Sequence, residues 1–433
     1  VKITTVFNVE DELFMNFSRD IFAGVTMAMA SLAGVTAVAS LLQQAGMDFA
    51  ASFTAGILLS LAGTLWSAFK NYGVVLTPSL TVSGYLVFIA AISHGLGWQV
   101  ILGISFSASL LGMAFWHGSR YIPCRGIPPI FPWGIKLALA VFLICLGLKM
   151  GRIVIASAWQ VTMLGDSADP LMYWSMTGVV LTLALLAGGC SCALFAGMVV
   201  TGAVTFLEGF WVIPAAPFFL PEGLDKVMGQ LSFLLVDVRD GAFFGVTVLS
   251  LLVMLSAVHW STFTAFAKAE APADGVRFLF ALGAAGALCG VPPLVISPAS
   301  AALQGGRRGR WALGAAAFVF VLALFGEPII AAIADFPAMV VPVLVGSGFC
   351  LLLSVLQHCP WSENAVKRRA EALTVSILVL LLPLSGNFAT ALGASLIGYG
   401  LFMSMAGCFR QVAGMIWLIS GVFALYYIYG SMF

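Results

Sequence analysis

Charge is what this sequence has least of. Only 9% of its 433 residues are Asp, Glu, Lys or Arg, against 61% hydrophobic ones, where soluble domains carry roughly 25% charged residues. A chain so apolar, with a mean hydropathy of +1.07, cannot cover a water-facing surface, so lipid is its expected solvent. A net charge of +1 gives no electrostatic case for a nucleic-acid partner. No G-x-x-x-x-G-K-[ST] loop is present to power a pump. The eight cysteines are scattered, and Cys190 and Cys192 form a C-x-C with no second pair at zinc spacing. Neither a metal site nor a disulfide framework is therefore expected. No spacing joins Ser or Cys to His, so no enzyme chemistry is read and no cofactor is expected. No cleavable leader is read either: Glu10, Asp11 and Glu12 precede the first apolar run near Ile21.

What is there is a series of apolar runs, at about 21–42, 52–69, 78–92, 98–116, 133–149, 171–187, 191–207, 243–264, 277–290, 298–304, 311–330, 337–357, 372–385, 388–405 and 411–430. We number them spans 1 to 15; a membrane helix needs about 20 residues, fewer where it stops midway. With the N-terminus in the cytoplasm and sides alternating, the cytoplasmic segments hold fifteen of the nineteen Lys and Arg residues. Only Lys149, Arg152, Lys226 and Arg239 fall outside, as the positive-inside bias requires. A long acidic connection from Glu208 to Asp240 divides fourteen spans into seven and seven. An odd number per half inverts the second half, a recurring plan of secondary transporters. The expected organisation is a first repeat over 1–208, a connection over 209–242, a second repeat over 243–405, and an added apolar segment over 406–433.

The third run of each half is short and begins alike. One reads Leu76-Thr77-Pro78-Ser79-Leu80, the other Ile296-Ser297-Pro298-Ala299-Ser300. A hydroxyl residue suits a helix N-cap and Pro the first helical position, so both spans are expected to start inside the membrane, after extended backbone over 72–76 and 291–296. Such backbone is tolerated at that depth only where protein or a watery cavity receives it. Two helix N-termini would then meet near the midplane, each with free N–H groups and partial positive charge. They would suit an anion, or the carbonyls and ring nitrogens of a polar solute. Two Pro kinks in ordinary spans would be the plainer reading.

These residues lie in stretches with a family likeness. Arg19 to Gly46 (RDIFAGVTMAMASLAGVTAVASLLQQAG), Lys70 to Gly84 (KNYGVVLTPSLTVSG), Gly97 to Gly103, Ile144 to Asp166 and the Gly305-Gly306-Arg307 turn resemble the nucleobase–cation symporter family, in particular its hypoxanthine/guanine/adenine permease branch. The resemblance implies an all-α, 7+7 inverted-repeat transporter. Its core domain would comprise spans 1–4 and 8–11, its gate domain spans 5–7 and 12–14, with substrate between spans 1, 3, 8 and 10. It further implies an elevator-like movement of core against gate, coupling to H+ or Na+, a homodimer, and a bacterial inner (plasma) membrane. Family members place one carboxylate in span 8 and another at the start of the span 10 half-helix. This chain departs at both places: Ser256 to Thr264 holds no acid, and Ser297 stands at the second position. A nucleobase or similar heterocycle is the first expected solute. A small inorganic or organic anion, as in the sulfate permease type, is the alternative that the missing acids favour. A non-transporting receptor is the third class.

The candidate substrate-binding residues are therefore Thr77, Pro78, Ser79 and Leu80 in span 3, and Ser297, Pro298, Ala299 and Ser300 in span 10. Span 8 adds His259, Trp260 and Thr262; span 1 adds Met27 and Ser31. His259 would replace the usual acid, or else hydrogen-bond a neighbouring helix. Trp260 would stack on a flat ring, or pack against lipid or protein, since adjacent helix positions point about 100° apart. Thr262 would line the cavity or bond back to its own helix. Gly24, Gly34 and Ala37 read as helix-packing residues, and Glu327 and Asp335 as acids flanking a turn.

Overall fold

The computed structural model describes residues 3–118, 128–157, 161–190, 192–221, 223–233, 238–266, 272–297, 310–357 and 359–431. Every expected span is a helix except the tenth, whose residues 298–309 lie outside the described ones. Pro298, Ala299 and Ser300 share that fate. Among the described residues eight helices are long and apolar enough to cross a membrane, or nine if one bent pair counts as a single span. The bent pair corrects the expectation for span 11. Its helix, Arg310–Phe325, stops at Gly326, and a second helix, Glu327–Asp335, leaves at 87°. Glu327 and Asp335 thus end a short helix rather than flank a turn. Pro328 in its first turn suits a helix start.

The third span is broken as expected, but its start lies elsewhere. Strand β1, Leu76–Pro78, carries the chain inward, and helix Leu80–Tyr85 begins only after it, widening over Leu86–Ser93 into a π-type turn. The cap is Ser79, whose Oγ accepts from the Val82 amide at 3.3 Å. Thr77 is not the cap, nor Pro78 the first helical residue, because both belong to the strand. Pro78 ends it, where its missing N–H breaks no ladder bond.

The partner of β1 comes from the other half. After the hairpin of β2, Val154–Ala156, and β3, Thr162–Leu164, strand β4, Leu294–Ile296, pairs antiparallel with β1, with Leu76 opposite Ile296. Those two residues hold the same place in their Leu-Thr-Pro and Ile-Ser-Pro motifs. An antiparallel ladder in which one residue faces its own repeat equivalent has a twofold axis passing between those two residues. Helix packing obeys the same symmetry. Span 1 packs on span 11 as span 8 packs on span 4. Span 2 packs on span 11 as span 9 packs on span 4. Span 5 packs on span 13 as span 12 packs on span 6.

Extended backbone inside a bilayer must be fully bonded, and span 2 supplies the missing partners. Ser67 Oγ accepts from the Val74 amide and Thr64 Oγ1 from the Leu76 amide, each at 3.3 Å. The Ser79 amide donates to the Pro293 carbonyl at 3.1 Å and the Ser297 amide to the Val75 carbonyl at 2.9 Å. The fifteenth span, Gly414–Ser431, packs on spans 14 and 8.

Candidate functional site

Where β1 and β4 cross, a small cavity of about 70 Å³ opens beside them. Thr77, Pro78, Ser79, Leu80 and Thr81 wall it from span 3, and Ser297 from the start of span 10. Ala30 and Gly34 of span 1 and Val258 and Thr262 of span 8 complete the side formed by the two crossing strands. The facing wall is Leu139, Phe142 and Leu143 of span 5 with Leu344, Ser347 and Leu351 of span 12. Both inverted halves thus contribute to each wall.

Polar groups here are hydroxyls. Ser31 Oγ donates to Ser297 Oγ at 2.8 Å, tying span 1 to the end of β4. Ser79 Oγ lies 3.2 Å from Thr81 Oγ1. Thr262 donates back to the Val258 carbonyl at 2.7 Å, and Ser347 to the Leu344 carbonyl at 3.0 Å. These two spend their proton on their own helix and offer oxygen lone pairs to the cavity. No ionisable side chain lines the cavity among the described residues.

The structure unites Thr77, Pro78, Ser79, Leu80, Thr262 and Ser297 around this space, with Ser31 directly behind. It does not bring in Met27, His259 or Trp260. Met27 is fully buried among Phe53, Val75 and Phe320, between spans 1, 2 and 11. His259 turns away: its ring meets Phe280 of span 9 edge-on at 4.9 Å, and neither nitrogen has a partner among the described residues. The cause is helical phase, since Val258 and Thr262, four apart, take the cavity face. Trp260 stacks on Trp116 of span 4, with centroids 5.4 Å apart, which fits its packing alternative. Gly34, read as a packing residue, lines the cavity instead. Missed entirely were Phe142 and Ser347; the small polar triplet Gly346-Ser347-Gly348 inside an apolar run was the available signal.

The Ser31–Ser297 bond is open to a double-mutant cycle. Ser31→Ala or Ser297→Ala alone strands one buried hydroxyl, at a cost of about 1–3 kcal/mol. The double variant is expected to cost less than the sum, by about 0.5–1.5 kcal/mol. Unfolding midpoints of the purified protein read this directly, and strict additivity would remove the bond from the site.

No protein-family model matches the sequence. Individual relatives do. The guanine/hypoxanthine permease PbuO of Bacillus subtilis is 26% identical over 431 residues, spanning 92% of this chain and 94% of the relative. The adenine permease AdeQ of Escherichia coli is 22% identical over 427 residues, spanning 94% and 92%. Among solved structures, the transmembrane domain of a cyanobacterial bicarbonate transporter, BicA, superposes with a TM-score of 0.54 at 14% identity, covering 87% of this chain and 98% of that one. The last likeness establishes the 7+7 inverted-repeat fold, and the relatives are named permeases, not enzymes. Its apolar spans and these relatives make the chain an integral membrane protein that resembles the nucleobase permease family over more than nine-tenths of its length.

Proposed function

We propose that this protein is a secondary transporter of a nucleobase or a similar flat, neutral heterocycle. One observation carries the reading: a cavity beside the paired strands β1 and β4, where six hydroxyls and the Phe142 ring stand among aliphatic side chains, without a charged side chain among its described residues. Hydroxyl oxygens accept from a heterocycle's N–H groups, hydroxyl protons not spent on their own helix donate to its carbonyls, and Phe142 offers a face for stacking. A neutral solute also avoids placing an unpaired charge in a low-dielectric space. The relatives named as guanine/hypoxanthine and adenine permeases support the same solute class.

The cavity is far smaller than the roughly 300–1,000 Å³ of ordinary ligand sites. For solute to enter, the span 5 and 12 wall must part from the crossing strands. We infer that spans 1–4 and 8–11 move as a core against a gate of spans 5–7 and 12–14, in an elevator-like alternation. Coupling to H+ or Na+, a homodimer, and a cytoplasmic N-terminus in a bacterial inner membrane complete this proposal.

A second reading, transport of a small anion, draws on the same helix N-terminus at Ser79 and on the fold shared with a bicarbonate transporter. Proteoliposomes decide between the two. Labelled hypoxanthine, guanine or adenine is expected to accumulate, in competition with one another and unaffected by bicarbonate or sulfate. Flux of the anions without flux of nucleobases would install the second reading; no flux of any of them would sink both.

A further inference from the structure

A second, larger cavity lies outside the substrate cavity. It occupies about 270 Å³ between span 8, the spans 4 and 5 beside it, span 14 and the added span 15. We propose that it is a binding site for one acyl chain of a membrane lipid, with span 15 as the wall that retains it.

The lining chemistry selects the occupant. Its walls are almost wholly aliphatic and aromatic, with no charged side chain among the described residues. Trp116 Nε1 already donates to Ser256 Oγ at 3.4 Å. Ser261 Oγ is the one buried polar side-chain atom of the lining without a hydrogen-bond partner among the described residues. A buried water needs two to four polar partners, so water is a poor filling for this space. A close-packed protein that leaves such a volume unfilled also forfeits the dispersion contacts of every wall. What fills it must be apolar.

The mouth says where that occupant comes from. Leu249 of span 8 and Leu418 of span 15 border the cavity and are 44% and 64% exposed, on two apolar helices. The cavity is therefore continuous with the lipid-facing surface, and the bilayer offers acyl chains at high local concentration. The back wall is stiff: Trp116 and Trp260 stack with an interplanar angle of 22°. Span 15 is held close by small residues on span 14. A methyl added at Gly393 would approach Phe423 within 2.7 Å, and one at Gly400 would approach Trp417 within 3.1 Å. Span 15 therefore forms a fixed wall against span 14, while its other side leaves the crevice toward span 8. A slot with one rigid aromatic wall, one fixed aliphatic wall and an opening to lipid suits a flexible hydrocarbon chain.

Native mass spectrometry of the full chain, purified in detergent and delipidated, tests this. The parent is expected to keep one phospholipid. Ala257→Phe and Ile419→Phe, which put a ring into the slot from span 8 and from span 15, are expected to lower its retention at least tenfold. Equal retention in a folded filling variant, or none in the parent, overturns the proposal. Should both variants fail to fold, quenching decides with the parent: retained lipid brominated on its acyl chain is expected to quench the emission that Trp116→Phe/Trp260→Phe removes. Unquenched emission from that pair in lipid-retaining protein overturns it equally.

Discussion

Ser347→Phe is expected to lower nucleobase uptake by at least about 100-fold, while Ser347→Ala stays within about threefold of the parent. The difference is one of volume. Ser347 stands on span 12, in the wall facing Ser79 and Ser297, and the space between is about 70 Å³. A phenyl ring placed there leaves no room for a second ring, and overpacking a site of this kind costs about 1–3 kcal/mol even where the fold survives. The hydroxyl itself matters less, because it donates to the Leu344 carbonyl of its own helix and leaves only lone pairs for a solute. Initial rates in proteoliposomes, normalised to folded protein, give both values. Near-parental uptake by Ser347→Phe would mean that solute passes elsewhere.

Much of this architecture was legible in the sequence, and the reasons are physical. Proline and hydroxyl residues in the middle of an apolar run are conspicuous in lipid, where interrupted backbone is costly. That drew the eye to Pro78 and Ser297: span 3 is broken at the first, extended strand precedes the second, and the alignment of Leu76 with Ile296 survives as a strand pair on the repeat axis. Thr262, read on span 8, borders the cavity, and Ser31, read on span 1, bonds Ser297 at its edge. The helix start at Thr77 failed because pairing with β4 holds residues 76–78 extended, a demand that local capping rules do not contain. His259 failed by one residue of helical phase. In a soluble helix, alternation between apolar and polar faces fixes that phase, but span 8 is apolar all round and offers no such contrast. Phe142 and Ser347 escaped for the same reason: in lipid, a residue facing the cavity and one facing acyl chains are drawn from the same alphabet.

Two glycines of span 1 turn that ambiguity into a test with opposite signs. In sequence Gly24 and Gly34 look alike, and a mid-helix glycine costs about 1 kcal/mol relative to alanine. In the structure they differ completely. A methyl group at Gly24 would overlap the backbone carbonyl of Ala312 on span 11, whereas one at Gly34 meets no atom within 4 Å. The contact at Gly24 is with main chain, which no change of rotamer relieves, so the two helices must separate. Their separation would loosen the packing of Met27, Ala28, Ala312, Ala316 and Phe320, which are all buried there. Gly24→Ala is therefore expected to destabilise the protein by at least about 2 kcal/mol, near the upper end of overpacking costs, and Gly24→Leu to leave no folded transporter. Gly34→Ala is expected to stabilise it by up to about 1 kcal/mol and yet to slow uptake, because its methyl group enters the cavity beside Thr77. Unfolding midpoints and uptake rates measured on the same preparations separate these outcomes. Gly24→Ala folding as well as the parent would break the pairing of spans 1 and 11. That pairing holds span 1, which carries Ser31 to its bond with Ser297 and Ala30 and Gly34 to the cavity, so span 1's share of that wall would fall with it.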